Sequence, residues 1–296
     1  MTILVTGGSG FLGTHLIQSL LRKHPDVQIR TLSRSGNAVQ RLLVECRGNR
    51  GLVPIIGDIR DLDSVRYVMR DVDTVIHLAA MKHIDLCELY PLEAVATNIN
   101  GTRNLLDSFN GNTFIGMSTD KAVESTGCYG ATKLITEKLV LDKALRRSGG
   151  RYMVIRSGNF FGSTSSVIEK WRRQLKQGNR IDITDPAMTK FFIDVGTIVD
   201  FVVEIIENGE SGNVYIPYQK ALTLADLATA VIDLYGNPAT QLSVIGIRPS
   251  EKSHEKLFIE SEKVSTPLTD NLSSNAQRLT VDEIKVWLRN LELEGD

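Results

Sequence analysis

The chain opens with a glycine-rich loop between a predicted strand and a predicted helix. An apolar run at residues 3–5 leads into the segment TGGSGFLG at 6–13, and an apolar helical pattern follows. In such a unit Gly7 permits the tight turn, Gly10 lets the backbone approach a pyrophosphate, and Gly13 lets the helix pack closely on the sheet. An ordinary strand-to-helix turn is the alternative. We expect a dinucleotide-binding loop, with the helix N-terminus facing the phosphates.

The first half of the chain alternates short β-branched runs with helix-period segments. Strands buried on both faces read as continuous apolar runs, and the intervening segments are long enough for crossover helices. We therefore predict an α/β fold with a Rossmann-type doubly wound parallel sheet. Its strands are expected at 3–6, 28–32, 52–57, 74–80 and 113–117.

The alternation loosens beyond about residue 157. We predict an NADP-binding Rossmann domain over 1–157 and a smaller C-terminal α/β lobe for the substrate over 158–296, and the chain is free to cross between them. Loops are expected around 158–166, 178–190 and 218–223, and helices near 197–208, 223–235 and 280–291.

Composition excludes several classes of protein. The net charge of -1, from 34 basic and 35 acidic residues, provides no basic field for nucleic acid or anionic lipid. Three cysteines and five histidines lack metal-ligand spacing, so we predict neither a bound metal nor a disulfide framework. The N-terminus leaves no room for a signal peptide, and no apolar stretch approaches the roughly 18 residues of a membrane span. We expect a soluble, cytoplasmic protein with a small partner.

The end of the second strand bears on the choice of cofactor. An NAD-preferring enzyme usually has an acidic residue there, whereas this chain has Ser33 and Arg34. The guanidinium can pair with a 2′-phosphate and the hydroxyl can donate to it, which favours NADP over NAD. A solvated loop arginine is the alternative. Asp58, after the third strand, is expected either to accept from the adenine amine or to cap a helix.

A second constellation follows the fifth strand. Thr119 stands at the predicted strand end, and Tyr129 and Lys133 lie four residues apart on one helix face. We expect the ammonium to lower the pKa of the phenol, which makes Tyr129 a usable base, while Thr119 binds the substrate oxygen. A helix-surface pair is the alternative for Tyr129 and Lys133 taken alone.

Together these segments resemble the extended short-chain dehydrogenases/reductases, in the polysaccharide-biosynthesis branch that contains UDP-N-acetylglucosamine 4,6-dehydratases of the C5-inverting kind. The resemblance covers nearly the whole chain. It is carried by TGGSGFLG at 6, AAMKHIDLCE at 79, NINGTRNLL at 98, STDKAVESTGCYGATKLITEKL at 118, DPAMTKFF at 185 and GIRPSEKSHEKL at 246.

The resemblance implies an internal redox cycle on a sugar nucleotide. Tyr129 would take the proton of the 4-hydroxyl while carbon 4 gives a hydride to NADP, and the ketone would acidify carbon 5. Lys121, if desolvated and near other cations, would be the carbon-5 base, and Asp120 would protonate the departing 6-hydroxyl. Hydride then returns to carbon 6. A turn ion pair is the alternative for Asp120 and Lys121, and related dehydratases carry Asp-Glu there.

The resemblance also assigns binding residues. Arg248 would clamp the diphosphate, and Glu251 would orient Arg248; Lys190 is equally well a surface residue. Helices around 93–109 and 128–147 would pair across a two-fold axis in a homo-oligomer. The substrate set is Lys82, His83, Asn159, Lys190, Arg248 and Glu251. The cofactor set is Gly7, Ser9, Gly10, Phe11, Gly13, Ser33, Arg34, Asp58, Ile59, Ala79, Ala80, Lys82, Asn98, Tyr129 and Lys133.

Three departures from the family pattern fall in the second half. Ser157 replaces a usual tyrosine, Thr164 a common arginine, and Ser250 a usual glycine. The leading hypothesis is dehydration of a UDP-N-acetylhexosamine to a 4-keto-6-deoxy sugar. A nucleotide-sugar 4-epimerase on the same scaffold is the first alternative, and a non-catalytic nucleotide-sensing protein is the second.

Overall fold

The computed structural model describes residues 1–147, 149–164, 166–265 and 271–293. Its main feature is a parallel sheet of eight strands in the order β13-β10-β6-β5-β4-β1-β2-β3. The first six strands are β1 Thr2–Thr6, β2 Gln28–Ser33, β3 Leu52–Ile56, β4 Thr74–His77, β5 Thr113–Thr119 and β6 Arg151–Ser157. This confirms the predicted α/β class and the five predicted strands.

Helices cover both faces of this sheet. Along β1, Ile3 and Val5 pack on one face and Leu4 on the other, because successive side chains of a strand point in opposite directions. The helices are α1 Phe11–Lys23, α2 Gly36–Glu45, α3 Leu62–Val68, α4 Ile84–Leu89, α5 Pro91–Ala94, a π-helical segment Val95–Asn100, α6 Gly101–Ser108, a 3-10 turn Asp120–Ala122 and α7 Cys128–Arg146.

The second half adds smaller elements. Two strands, β10 Val214–Tyr215 and β13 Val264–Ser265, join the large sheet, so the chain does cross back to it. A three-stranded sheet and a two-stranded sheet, around Trp171, form a further core. The remaining elements are β7 Asn159–Phe160, α8 Val167–Gly178, β8 Arg180–Ile183, β9 Thr189–Ile193, α9 Val195–Asn208, β11 Lys220–Thr223, α10 Leu224–Tyr235, β12 Gln241–Val244 and α11 Val281–Leu293.

The three predicted helices of this half are confirmed as α9, α10 and α11. The loops predicted at 158–166, 178–190 and 218–223 are wrong in part, since they contain β7, β8 and β11. These strands pair with β12 and β9, and β12 lies about sixty residues from β8. Because the paired strands are so far apart in sequence, no local pattern predicts their pairing. In the described part of the chain no helix is both long and apolar enough to cross a membrane.

Candidate active site

A cavity of about 530 Å³ opens at the carboxyl ends of β4, β5 and β6, against loops of the second half. The strand order reverses between β1 and β4, and doubly wound sheets bind ligands beside such a switch point. Many residues predicted for the site line this cavity: Ala80, Lys82, His83, Thr119, Lys121, Tyr129, Lys133, Asn159, Lys190, Arg248 and Glu251. The other predicted residues do not line it: Gly7, Ser9, Gly10, Phe11, Gly13, Ser33, Arg34, Asp58, Ile59, Ala79, Asn98 and Asp120.

The glycine loop has the geometry that a dinucleotide requires. Gly7 has a φ of +70°, and a Cβ at Gly13 would lie 2.5 Å from the Gly7 carbonyl oxygen. Both positions therefore exclude a side chain. Gly10 caps α1 without a side chain, which leaves the first-turn N–H groups of the helix available to a pyrophosphate. Phe11 begins this helix.

Two hydroxyls and an exposed guanidinium stand at the end of β2. The hydroxyls of Ser9 and Ser33 are 2.8 Å apart, and Arg34 is exposed. Burial opposes ionisation of Asp58, but hydrogen bonds from Arg60 and the nearby charge of Arg34 outweigh it and lower the pKa of Asp58. The side chain therefore carries its charge at this end of the site.

The helix-cap alternative for Asp58 is wrong. The N-cap of α3 is Asp61, whose carboxylate accepts the Ser64 N–H at 2.9 Å. Asp58 instead accepts three hydrogen bonds from Arg60, at 2.6 to 2.9 Å. Ile59 next to it is buried.

Asn98 positions the loop after β4. Its amide nitrogen donates to Met81 O at 3.0 Å and to Thr132 Oγ1 at 2.9 Å, and its Oδ1 accepts the Met81 N–H at 2.7 Å. The side chain is 1% exposed. Asn98 thus ties the loop to α7, and Ala79 is fixed from the other side by a hydrogen bond to Thr6 Oγ1.

Tyr129 and Lys133 lie in the first turns of α7, but their electrostatics differ from the prediction. Burial raises the pKa of Tyr129 to about 12, although Lys121 and a hydrogen bond with Thr119 oppose it. The Lys133 ammonium donates to Met117 O at 2.6 Å, and burial lowers its pKa to about 8. The prediction that Lys133 lowers the pKa of Tyr129 is wrong for the protein without ligands, because the cation that favours the phenolate is Lys121.

Asp120 and Lys121 form an ion pair beside that tyrosine. Asp120 Oδ1 accepts from Lys121 Nζ at 2.9 Å and from Thr119 Oγ1 at 2.8 Å. Asp120 Oδ2 is buried and has no hydrogen-bond partner among the described residues. Burial raises the pKa of Asp120. Ionisation of this carboxyl group is therefore less favourable than in water, and the group reaches the cavity only through its two partners.

Lys121 was expected to act as a base if it is desolvated and lies near other cations. Its surroundings contradict the second part of that condition. Burial alone favours the neutral amine, but Asp120 and Glu255 outweigh it and raise the pKa of Lys121 above the ordinary value. The expected neighbouring cations are carboxylates instead. Lys121 Nζ also donates to Asn159 Oδ1 at 3.4 Å. Lys121 is thus desolvated and protonated in the resting protein.

Arg248 lies across the cavity from this pair. Its guanidinium Nη1 is 3.3 Å from Asp85 Oδ2. Glu251 accepts the backbone N–H of Arg248 at 3.1 Å, so it fixes the turn and leaves the guanidinium to Asp85. The prediction that Glu251 orients the side chain of Arg248 is therefore wrong. Asp85, which the sequence analysis missed, takes that role.

Two lysines that line the cavity, one from each half of the chain, are held in defined positions. Lys190 Nζ donates to Glu255 Oε1 at 2.8 Å and to Lys252 O at 2.7 Å. It is 12% exposed, which excludes the surface-residue alternative. Lys82 Nζ donates to the Thr164 carbonyl at 3.2 Å.

Glu255 and Lys252 are further residues that the sequence analysis missed. Both line the cavity, and both belong to the segment GIRPSEKSHEKL that carried the resemblance. That segment is a loop, so no periodicity distinguishes a residue that faces the site from one that does not. Of the departures, Ser157 is buried against Gln219, and Ser250 has a φ of +69°, where the usual glycine would be unstrained.

The glycine loop at the switch point, with Thr119, Tyr129 and Lys133 around one cavity, defines an extended short-chain dehydrogenase/reductase. The chain belongs to the family described as polysaccharide biosynthesis protein, whose model matches residues 3–276. This is the nucleotide-sugar dehydratase and epimerase group of that fold.

Individual relatives agree with this family. The chain is 32% identical to a UDP-glucose 4-epimerase of Rickettsia rickettsii, over 98% of this chain and 96% of that protein. It is 35% identical to an uncharacterized membrane protein of Methanocaldococcus jannaschii, over 88% of this chain and 81% of that one. Among solved structures, Pen from Bacillus thuringiensis superimposes with a TM-score of 0.91 at 30% identity, covering 99% and 98% of the two chains.

A more distant structure shares the fold. The dTDP-glucose 4,6-dehydratase DesIV from Streptomyces venezuelae, solved with NAD and TYD bound, superimposes with a TM-score of 0.79 at 22% identity. It covers 98% of this chain and 97% of its own.

Proposed function

We propose that this protein catalyses the NADP-dependent 4,6-dehydration of a UDP-N-acetylhexosamine, with UDP-N-acetylglucosamine as the first choice, to a 4-keto-6-deoxy sugar nucleotide. The observation that carries the proposal is the buried Asp120–Lys121 pair beside Tyr129. Oxidation and reduction at carbon 4 need only Thr119, Tyr129 and Lys133. An additional acid–base pair, of which Lys121 lines the same cavity and Asp120 lies behind it, supplies what an elimination requires.

The redox half uses the residues around Tyr129. A bound nicotinamide would accept a hydride from carbon 4 and later return it to carbon 6. Tyr129, whose pKa lies near 12 without ligands, must be converted to the phenolate before it takes the 4-hydroxyl proton. Lys121 already favours that form, and a cationic cofactor ring would add to it. Thr119 lines the cavity and would hold the sugar oxygen.

The elimination half uses the ion pair, and its protons balance. Lys121 passes a proton to Asp120 across 2.9 Å, which gives a neutral amine and a neutral carboxylic acid. The amine takes the carbon-5 proton as the carbon 5–carbon 6 double bond forms. The 6-hydroxyl leaves as water with the proton of Asp120, relayed through Thr119 Oγ1, and the ion pair is restored. When hydride returns to carbon 6, carbon 5 takes a proton back from the Lys121 ammonium, and the proton that Tyr129 took from the 4-hydroxyl restores that ammonium. The raised pKa of Asp120 makes its protonated form accessible.

The residues at the end of β2 support NADP as the cofactor in this proposal. Arg34 is exposed, and the hydroxyls of Ser33 and Ser9 stand beside it, so a 2′-phosphate finds a cation and a donor there. Asp58, held by Arg60, stays available on the adenine side. Removing the guanidinium with Arg34→Ala should weaken NADP binding far more than NAD binding.

The substrate is expected between the two halves of the chain, taken as 1–157 and 158–296. Asn159, Lys190 and Arg248 come from the second half and line the cavity with cationic and amide groups, as a nucleoside diphosphate requires. The names of the relatives support a UDP-linked sugar.

A 4-epimerase is the second candidate, favoured by the name of the Rickettsia relative. It would use the same redox residues without elimination. Because Lys121 also acts on the pKa of Tyr129, the loss of activity in Lys121→Ala is expected under both hypotheses. Only the product distinguishes them.

The deciding experiment is an incubation with UDP-N-acetylglucosamine in deuterated water, without added cofactor, followed by NMR. Dehydration gives a new 6-methyl signal and deuterium at carbon 5, and Tyr129→Phe abolishes both. An isomer that keeps its 6-hydroxyl establishes the epimerase. Purified protein that carries no cofactor and changes no UDP-sugar would support the non-catalytic alternative.

We also propose a homo-oligomer built on α5, α6 and α7. Leu92 on α5 and Ile135 on α7 are 82% and 44% exposed, and Leu89 at the end of the adjoining α4 is 65% exposed, although water contact is unfavourable for such side chains. A second copy would cover them. Light scattering on the wild type and on Leu92→Glu tests this: the variant is expected to be monomeric, and a monomeric wild type would contradict it.

A further inference from the structure

Glu255 is the negative centre of the lysines that line the cavity. Its Oε1 lies 2.8 Å from Lys190 Nζ and 4.0 Å from Lys121 Nζ, and its Oε2 lies 3.6 Å from Lys252 Nζ. The residue is 2% exposed. These three ammonium groups therefore share one buried carboxylate, and Asp120 is the only other carboxylate that the structure pairs with Lys121 among the described residues.

The surrounding structure fixes the backbone of Glu255, and Lys190 holds its carboxylate. The Glu255 N–H donates to Ser273 Oγ at 2.8 Å, and the Ser273 N–H donates back to the Glu255 carbonyl at 2.9 Å. Thr189 closes the network through its hydroxyl, 2.7 Å from Ser273 Oγ. Glu255 Oε2 has no hydrogen-bond partner in the described part of the chain. A fixed buried charge without full hydrogen bonding acts mainly through its field.

Glu255 matters most when Asp120 is neutral. In the elimination described above, Asp120 holds a proton while Lys121 collects another from carbon 5. At that moment Asp120 no longer stabilises the ammonium that forms. Glu255, 4.0 Å away, is then the remaining negative charge that the structure places beside Lys121.

We propose that Glu255 is a positioning residue that acts on the reaction through Lys121, as a fixed negative charge that stabilises the ammonium formed when Lys121 takes the proton of the sugar. The proposal rests on the proposed function for its chemical meaning. The contact between Glu255 and Lys121 can nevertheless be tested without any turnover.

The charges around Lys121 determine in which direction its pKa moves when Glu255 is replaced. The groups that face Lys121 or share its carboxylate are Asp120 on the same turn, Tyr129 on α7, and Lys190, Lys252 and Glu255 from the second half. Replacing Glu255 by glutamine keeps the shape and removes one negative charge, so the proton affinity of Lys121 falls. An opposite charge at this distance shifts a titration by about one pH unit or more.

The first test measures the neutral fraction of Lys121 by competitive isotopic acetylation at pH 8, quantified by mass spectrometry. Rates are normalised to the exposed Lys176. In Glu255→Gln, Lys121 is expected to react about tenfold faster, because one pH unit changes the neutral fraction tenfold. Glu255→Asp keeps the charge and should react at nearly the wild-type rate. An unchanged rate in Glu255→Gln overturns the proposal.

Two further variants accompany the labelling experiment. One is a matched control, and the other should change the labelling of Lys121 in the opposite direction. Glu124→Gln removes an exposed carboxylate, paired with Lys256 at 2.6 Å, from the loop after Lys121, and should leave Lys121 labelling unchanged. Lys190→Gln leaves Glu255 less neutralised, so Lys121 should react more slowly. This variant also serves if Glu255→Gln does not fold, and an unchanged rate in it contradicts the proposal.

The second test uses turnover. If Lys121 is the carbon-5 base, the acidic limb of the pH–rate profile of Glu255→Gln moves to lower pH by about one unit, while the plateau rate falls because the amine is a weaker base. A merely structural role lowers the rate at every pH without moving the limb, and that result contradicts the proposal. If no keto product forms, the proposed function is refuted instead. The labelling experiment still tests whether Glu255 acts on Lys121.

Discussion

Arg156 joins the catalytic helix to the segment that carries the substrate residues. It lies at the end of β6, is fully buried, and donates to both carboxylate oxygens of Glu137 on α7, at 2.9 and 2.7 Å. It also donates to Glu262 at 2.8 and 3.0 Å and to Leu257 O at 2.7 Å. Glu137 is 1% exposed and Glu262 16%. Arg156→Met therefore leaves two buried carboxylates close together without their cation.

Breaking a buried ion pair by removing one partner costs about 3–5 kcal/mol. With a urea slope of about 3 kcal/mol per molar, the unfolding midpoint should fall by about 1–1.7 M at pH 7.5. The triple variant in which Glu137 and Glu262 also become glutamine should recover much of this loss, because no unpaired charge remains.

The loss should depend on pH. Burial opposes ionisation of Glu262, but hydrogen bonds from Arg156 outweigh it and lower its pKa, so in the wild type this group stabilises the fold above its unfolded pKa and loses that effect in acid. In Arg156→Met the carboxylates are buried without a cation, so the folded protein favours their protonated forms. The destabilisation should therefore shrink as the pH falls from 7.5 toward 4.5. A cost below about 1 kcal/mol, or one independent of pH, would refute this reasoning.

Three further predictions concern single residues. Gly13→Ala places a Cβ 2.5 Å from backbone and should abolish cofactor retention on purification, whereas Gly178→Ala, with open space around it, should retain cofactor. Burial, with Lys133 nearby, lowers the pKa of His77 to about 3, so the folded protein binds a proton there less readily than the unfolded chain; urea titrations should show stability falling as the pH drops from 6.5 toward 3, and less steeply in His77→Gln. Ser250→Gly relieves a left-handed backbone and should raise the free energy of unfolding by about 0.5–1 kcal/mol, while an unchanged or lower value would contradict the strain.

The sequence predicted the sheet, and it singled out Thr119, Tyr129 and Lys133, which line one cavity, because both predictions depend on local patterns. Each of these patterns involves only a few consecutive residues. They are the apolar runs, the glycine spacing and the interval between Tyr129 and Lys133. The strands β8 and β11 were missed for the opposite reason, since their partners are remote in sequence or in another loop.

Electrostatics could not be predicted from the sequence. The surroundings of Lys121 include Glu255, which lies 134 positions further along the chain, and that contact makes its neighbours anionic where cations were expected. In the same way Asp85 reaches Arg248 across 163 positions. Such contacts depend on how loops of the second half close over the sheet.

The central claim is that a hydride leaves carbon 4 and returns to carbon 6 of the same sugar. The most direct measurement uses UDP-N-acetylglucosamine deuterated at carbon 4, incubated in ordinary water without added cofactor and examined by NMR. The account predicts that the deuterium moves into a new 6-methyl group. Deuterium that stays on carbon 4, in a product that keeps its 6-hydroxyl, would contradict it.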